Sequence, residues 1–262
     1  MTGWLRLRLA LALALLTVVA ASCGGGRGAP RTSPPAFDDD FSTGRLDPGR
    51  WTTCYPWWPD PARGCTNQGN HELEWYLPSQ VTVSGGMLHL TATQQPITQT
   101  LDGRQVAFPY RSGMVATAGH FAFEYGRVAI RARAPAGAGL WPTLWLLPAS
   151  QRWPPEIDLM EAYGNFPHLT FLTYHRAVGD APQKYMPLDI TAWHDYELDW
   201  SPDALRWYID GSLQFTVTGG VPNVPMYVVA NLAVSGDPRH TTDASTPSSA
   251  SFDISRVRVW TR

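Results

Sequence analysis

Charge is what this sequence is short of. Only 16% of its 262 residues are Asp, Glu, Lys or Arg, and 20 basic side chains nearly balance 22 acidic ones, for a formal net charge of −2. No basic run breaks that balance, so there is no electrostatic case for binding nucleic acid or an anionic membrane surface. Cysteine is scarce too, at three residues. Two of them, Cys54 and Cys65, lack the matched His spacing of a zinc set. Long helical periods are missing, which excludes a helix-built core. After residue 36 there is no second linker, no internal repeat and no break in composition. One domain over residues 37–262 is therefore expected, large enough to bury most of its apolar surface.

Aromatic residues are abundant by contrast, with 12 Trp and 10 Tyr. Such residues either fill a β core or line a carbohydrate cleft. Period-two alternation recurs along the chain. Val81-Thr82-Val83 and Met87-Leu88-His89-Leu90-Thr91 flank Ser84-Gly85-Gly86, a hairpin signal. Residues 127–133 alternate polar and apolar. Tyr196, Leu198 and Trp200 share one strand face, and Leu205, Trp207 and Ile209 share another before the Asp210-Gly211 turn. Val257, Val259 and Trp260 belong to a closing strand. These segments predict an all-β sandwich or barrel.

The first residues carry Arg6 and Arg8, then an apolar run over 9–21, then Ser22-Cys23. A basic start, a short hydrophobic stretch and small residues before a break describe an export signal, too short for an ordinary spanning helix. Val19-Ala20-Ala21-Ser22-Cys23 also resembles a bacterial lipobox, in which Cys23 becomes the lipidated first residue. Ala20 stands where Leu is usual, and a plain secretory signal is the alternative. Residues 24–36 are rich in Gly, Ser, Thr and Pro and read as a tether, with a flexible-chain reach of roughly 20 Å for about 13 residues. The expectation is an exported protein, held to the outer face of the cell membrane by lipid or else secreted. In such a compartment Cys54 and Cys65 pair across a loop rich in Trp and Pro, two free buried thiols being the alternative.

The most informative stretch is Glu156-Ile157-Asp158-Leu159-Met160-Glu161. In a strand, residues two apart share a face, so Glu156 and Asp158 point the same way. Glu161 lies an odd number of positions from Glu156 and would face away. One extra residue near Leu159-Met160, a β-bulge, returns it to the shared face. Three like charges in a row are costly, so the row points to function rather than packing; a solvent-facing acidic edge is the bland alternative. Two carboxylates flanking a glycosidic bond are the usual equipment for sugar hydrolysis. A third beside one of them is a physical way to push their pKa values apart. At about 3.3 Å per residue the α-carbons of Glu156 and Glu161 stand more than about 13 Å apart. A retaining pair needs carboxyls about 5–5.5 Å apart, so strand bending and converging side chains must close the gap. Upstream, Trp141 and Trp145 share a strand face and Trp153 follows shortly before the acids. Trp faces stack on the C–H faces of pyranose rings. Core packing is the competing role for each.

This acid stretch resembles the signature of glycoside hydrolase family 16, in the bulged form of laminarinases (endo-β-1,3-glucanases), with Met at the extra position. The lichenase and xyloglucan transglycosylase branches typically have one residue fewer between the acids. Tyr125-Gly126-Arg127 with Arg131, and Gly139-Leu140-Trp141-Pro142 with Trp145, are similar to the strands before the family's catalytic strand. Asn70-His71-Glu72-Leu73-Glu74-Trp75-Tyr76 resembles its N-terminal glycan-contacting segment, with His71 and Glu74 where Asn and Gln are common. Trp207-Tyr208-Ile209-Asp210-Gly211, Asn231-Leu232-Ala233-Val234 and the closing strand at Asp253 also fit, so the likeness covers residues 37–260.

The resemblance implies a jelly-roll β-sandwich of two curved antiparallel sheets with a cleft across the concave one. It implies a retaining double displacement on β-glucan, most of all on β-1,3-linkages. Glu156 would be the nucleophile, Glu161 the acid/base, and Asp158 a hydrogen-bond partner of Glu156. Trp141, Trp145 and Trp153 would shape the sugar subsites. Asn70 and His175 are candidates for hydroxyl contacts, His175 equally for a satisfied sheet histidine. No cofactor is needed for that chemistry, although some members bind a structural calcium on the convex side, where Asp253 would be the carboxylate ligand. The protein is expected to act as a monomer. The competing readings are a galactan hydrolase or transglycosylase of the same fold, and a sandwich that binds glucan without cutting it.

Overall fold

The computed structural model describes residues 33–57 and 64–262. The expected export signal, Cys23 and most of the expected tether lie outside the described residues. Strands dominate, and they form two large sheets. The first has six strands in the spatial order Gln183–Pro187, Leu169–His175, Glu156–Glu161, Leu140–Pro148, Met226–Val234 and Met114–Ala116, all antiparallel. The second is a ten-stranded sheet. Its centre pairs His194–Ser201 with Gly126–Arg133, and Gly126–Arg133 with the 13-residue closing strand Ser249–Thr261. One pairing breaks the antiparallel rule: Glu74–Tyr76 runs parallel to Tyr110–Ser112 at the sheet edge.

The turn chemistry explains the hairpins. Ser84 pairs with Met87 across Gly85-Gly86, both at positive φ (56° and 70°). Ile209 pairs with Ser212 across Asp210-Gly211, at φ 50° and 75°. Two-residue hairpins need that left-handed pair, because it matches the twist of the flanking strands.

The core lies between the sheets. Tyr196, Leu198 and Trp200 turn inward from one strand, and Leu205, Trp207 and Ile209 from the next, all essentially buried. They meet Leu144, Leu146, Ile157, Leu159 and Met160 from the six-stranded sheet within one apolar cluster. Burying each large side chain contributes about 1.5–3 kcal/mol, so the inward face of the acid strand is firmly held. Its other face is left to the cleft. A smaller cluster around Tyr55, Tyr76, Trp145 and Tyr227 packs beneath that cleft. The disulfide Cys54–Cys65 forms, with α-carbons 4.6 Å apart.

Candidate active site

The acid strand Glu156–Glu161 lies between Leu140–Pro148 and Leu169–His175. On one side Leu144 and Trp145, consecutive residues, face Met160 and Asp158, so Leu159 has no opposite number. On the other side Asp158 faces Thr173 and Glu161 faces Phe171, three residues against two. This is the expected bulge. Leu159 and Met160 both turn into the core, at 1% and 0% exposure. Across the core, the buried Trp207 indole donates to the Asp158 carbonyl oxygen at 2.8 Å, pinning the backbone where the ladder is interrupted. Glu156, Asp158 and Glu161 therefore share the outer face.

Each acid has its own partners. Trp153 Nε1 donates to Glu156 Oε2 at 2.9 Å. Trp141 Nε1 and Tyr163 Oη donate to Glu161 Oε1 at 2.9 and 3.1 Å. His175 Nε2 sits 3.4 Å from Glu156 Oε1 and 3.3 Å from Asp158 Oδ2, bridging the two. Glu156 and Glu161 border a cleft of about 640 Å³ walled by Trp57, Trp141, Trp145, Trp153 and Tyr163.

Burial is the first cause of the unusual acidity here. It pushes the Glu156 and Asp158 carboxyls well above their ordinary range. The charge of Asp158 adds to the rise at Glu156, and that of Glu161 at Asp158. His175 and the Trp153 N–H pull Glu156 back toward its anion. Glu161 is raised by burial and partly restored by the Tyr163 and Trp141 donors. At Asp158 burial and the Glu161 charge act in the same direction, both raising the carboxyl.

An acid row on a bulged strand in an aromatic cleft is a glycosidase arrangement, and comparison with known proteins decides which. The family model "Glycosyl hydrolases family 16" matches residues 70–253. This chain belongs to glycosyl hydrolase family 16. It is 33% identical over 217 residues to an endo-1,3-1,4-beta-glycanase of Rhizobium meliloti, covering 76% of this chain and 46% of that protein. The solved endo-beta-1,3-glucanase of Pyrococcus furiosus superposes with a TM-score of 0.77 at 28% identity, over 87% of this chain and 94% of that one. The laminarinase catalytic domain of Thermotoga petrophila gives 0.76 at 27% identity, over 86% and 96%. The chain spans about half the length of the first two curated relatives it matches.

Within this family 16 site, Asn70, Trp141, Trp145, Trp153 and His175 all border the cleft. Two of them sit differently from expectation. Trp145 is only 6% exposed and donates to Asn231 Oδ1 at 2.8 Å, edge-on to Tyr55, so it forms floor rather than a stacking platform. His175 joins the two acids in place of a direct Asp158–Glu156 hydrogen bond. Trp153 is 53% exposed, with a ring free to meet a sugar.

Asp253 does not fit calcium. Its carboxylate takes hydrogen bonds from Arg133 Nε at 2.9 Å and Ser251 Oγ at 2.6 Å, and His89 Nδ1 lies 2.8 Å away. Calcium wants six to eight oxygen ligands, and here a guanidinium and an imidazole take up the acid. The ligand atoms of Glu156, Asp158 and His175 do converge within 4.8 Å. One imidazole with two carboxylates suits a transition metal better than calcium.

Sequence reasoning missed a second acid pair. Glu72 and Glu74 are buried beneath the cleft, Glu72 accepting from Asn67 N at 2.9 Å and Glu74 from Val234 N at 2.8 Å. Burial raises both carboxyls, and the neighbouring Glu74 charge raises Glu72 further. Glu72 shares a small cavity with Glu156, Asp158 and Glu161. Tyr76 Oη continues the network, accepting from Asn231 Nδ2 at 3.0 Å. Two acids two apart, Glu74 opening a strand and Glu72 bridging to Ser235 just before it, were the available signal.

Proposed function

We propose that this protein is a retaining endo-β-glucanase acting on β-1,3-linkages. The observation that carries the reading is the bulged strand, which sets Glu156, Asp158 and Glu161 on one face of a cleft walled by indoles. The names of the R. meliloti, P. furiosus and T. petrophila relatives support β-glucan as the substrate class. In the first step Glu156 attacks the anomeric carbon while the bond to the leaving oxygen breaks. Glu161 donates its proton to that oxygen. In the second, Glu161 takes a proton from water, whose oxygen displaces the Glu156 carboxylate from the sugar. Asp158 holds a proton beside Glu156, so that the nucleophile stays anionic among like charges. Trp153 and His175 support that anion. No cofactor enters either step. The assignment is tested by reducing-sugar release from laminarin, mixed-linkage glucan, agarose and xyloglucan, with Glu156→Gln as control. Release from laminarin by the wild type alone is expected. Release from agarose in its place would make the protein a galactan hydrolase, and glucan binding with no release would make it a binding module.

We propose as well that the protein acts outside the cell as a monomer, tethered through a lipid on Cys23. The motif over residues 19–23 and the polar stretch after it support this. Cys23→Ser should move the protein from the membrane to the soluble fraction, and unchanged partitioning would overturn the anchor.

A further inference from the structure

We infer that a bound glucan chain does not end at the catalytic cleft but continues over Gln151 into a second groove, with Trp57 as the stacking platform at the join; this rests on the glucanase reading above. The second groove holds about 400 Å³ and is lined by Pro56, Ala118, Phe121, Ala149, Gln151 and Tyr227 among others. Gln151 borders both spaces. The disulfide-closed loop borders both as well, Pro56 facing the groove and Trp57 the cleft. Among the described residues, Gln151 lines both cavities and Pro56-Trp57 stands between them, so a linear polymer passing one meets the other.

The chemistry of the groove fits an uncharged saccharide. Among the described residues its lining carries no carboxylate, ammonium or guanidinium, and the exposed His120 is its one basic group. Tyr227 is 2% exposed, and its Oη makes no hydrogen bond of proper geometry, although the Trp57 indole lies beside it. Trp57 is prepared for stacking. Its ring lies on the buried Tyr55 at 4.0 Å and 10°, and the Cys54–Cys65 bridge holds the loop that carries it. A platform already fixed by packing loses little freedom when a pyranose settles on it.

The test is the dependence of kcat/KM on chain length, with β-1,3-gluco-oligosaccharides of increasing length and laminarin. Wild type is compared with Trp57→Ala, which removes the platform, and Ala122→Glu, which crowds the groove from an exposed position away from the acids. Wild type should gain with each added sugar beyond those the cleft holds. Both variants should lose roughly three- to tenfold on the longest substrates, and Ala122→Glu should match wild type on the shortest. Length dependence unchanged in both variants, with melting temperatures intact, overturns the inference. So does a Trp57→Ala loss that is equal at all lengths while Ala122→Glu behaves as wild type, because that confines Trp57 to the cleft. If wild type cuts no glucan, the glucanase reading fails on its own. Calorimetric binding of the same oligosaccharides then decides the groove: affinity growing with length and lost in both variants upholds it, and flat affinity overturns it.

Discussion

The two sheets treat their carboxylates in opposite ways. On the ten-stranded sheet, acids meet guanidinium groups from neighbouring strands. Arg127 pairs with Glu197, Arg131 with Asp195 at 2.9 Å, and Arg133 with Asp253 at 2.9 Å. The last of these carboxyls is held below its ordinary range, despite partial burial, by Ser251, His89 and Arg133. On the six-stranded sheet, the described ion pairs of Glu156 and Asp158 are with His175 alone, and all three cleft acids are pushed up by burial. The same residue types thus stabilise one sheet and burden the other. Cross-strand opposite-charge pairs contribute about 0.2–1 kcal/mol each, whereas a crowded buried acid row is a cost that the fold bears for chemistry.

Removing the proposed nucleophile breaks this contrast most sharply. Glu156→Gln should lower kcat on laminarin by more than about 10⁴-fold, as expected when a group that works as a unit with others is lost. Laminarin binding should persist in affinity electrophoresis. Loss of binding and fold together would make Glu156 structural. The variant should also be more stable than wild type at neutral pH. Glu156 has a folded pKa raised above its ordinary 4.5, so the folded state holds a proton that the unfolded state releases. Stability therefore falls as pH rises from about the unfolded value through the folded one. The melting-temperature gain should be present at pH 7 and vanish near pH 4. Glu161→Gln comes next, with a loss of about 10²–10⁴-fold for a missing acid/base. A substrate whose leaving group needs no proton should recover the first step.

Asp253→Asn probes the other sheet and should have the opposite sign. Its depressed pKa contributes stability that is present above the unfolded value and lost as pH falls through the folded one. Losing the charge while keeping the shape should cost about 1–3 kcal/mol at pH 7, read by denaturant unfolding. The cost should shrink in acid, and activity per folded molecule should not change. A stabilised variant would mean that the Arg133 and His89 contacts do not offset the burial of Asp253.

How much of this was legible beforehand follows from the range of the interactions. The bulge could be read because it is local: an odd spacing between acids with apolar residues between them admits one repair. The two-residue hairpins at Gly85-Gly86 and Asp210-Gly211 were legible because φ is a property of the residue. Trp145 was not, because its indole is claimed by Asn231, 86 positions away. Nor was the Glu72–Glu74 pair, since the amide that receives Glu74 lies 160 residues on, at Val234. Asp253 read as a cation ligand for the same reason, as Arg133 and His89 reach it from 120 and 164 positions away. Period and turn chemistry are written in neighbours, but the partner of a buried polar atom is chosen by topology.

The smallest expected effect sharpens the contrast within the cleft itself. Tyr163 Oη and Trp141 Nε1 both donate to the same oxygen of Glu161, and each favours its anion. That works against a residue that must enter the first step protonated. The pair is therefore a trim on the pH at which Glu161 loses its proton, set against burial. Tyr163→Phe removes one donor and leaves the ring against His240 and Trp141. Glu161 should then hold its proton to higher pH, and the alkaline limb of kcat/KM on laminarin should move up by about one unit or less, the worth of one hydrogen bond. The acid limb, which reports Glu156 ionising, should stay where it is. A downward shift of the alkaline limb would mean that Tyr163 supports the protonated form, and the roles of its hydroxyl and the Trp141 indole would have to be reversed.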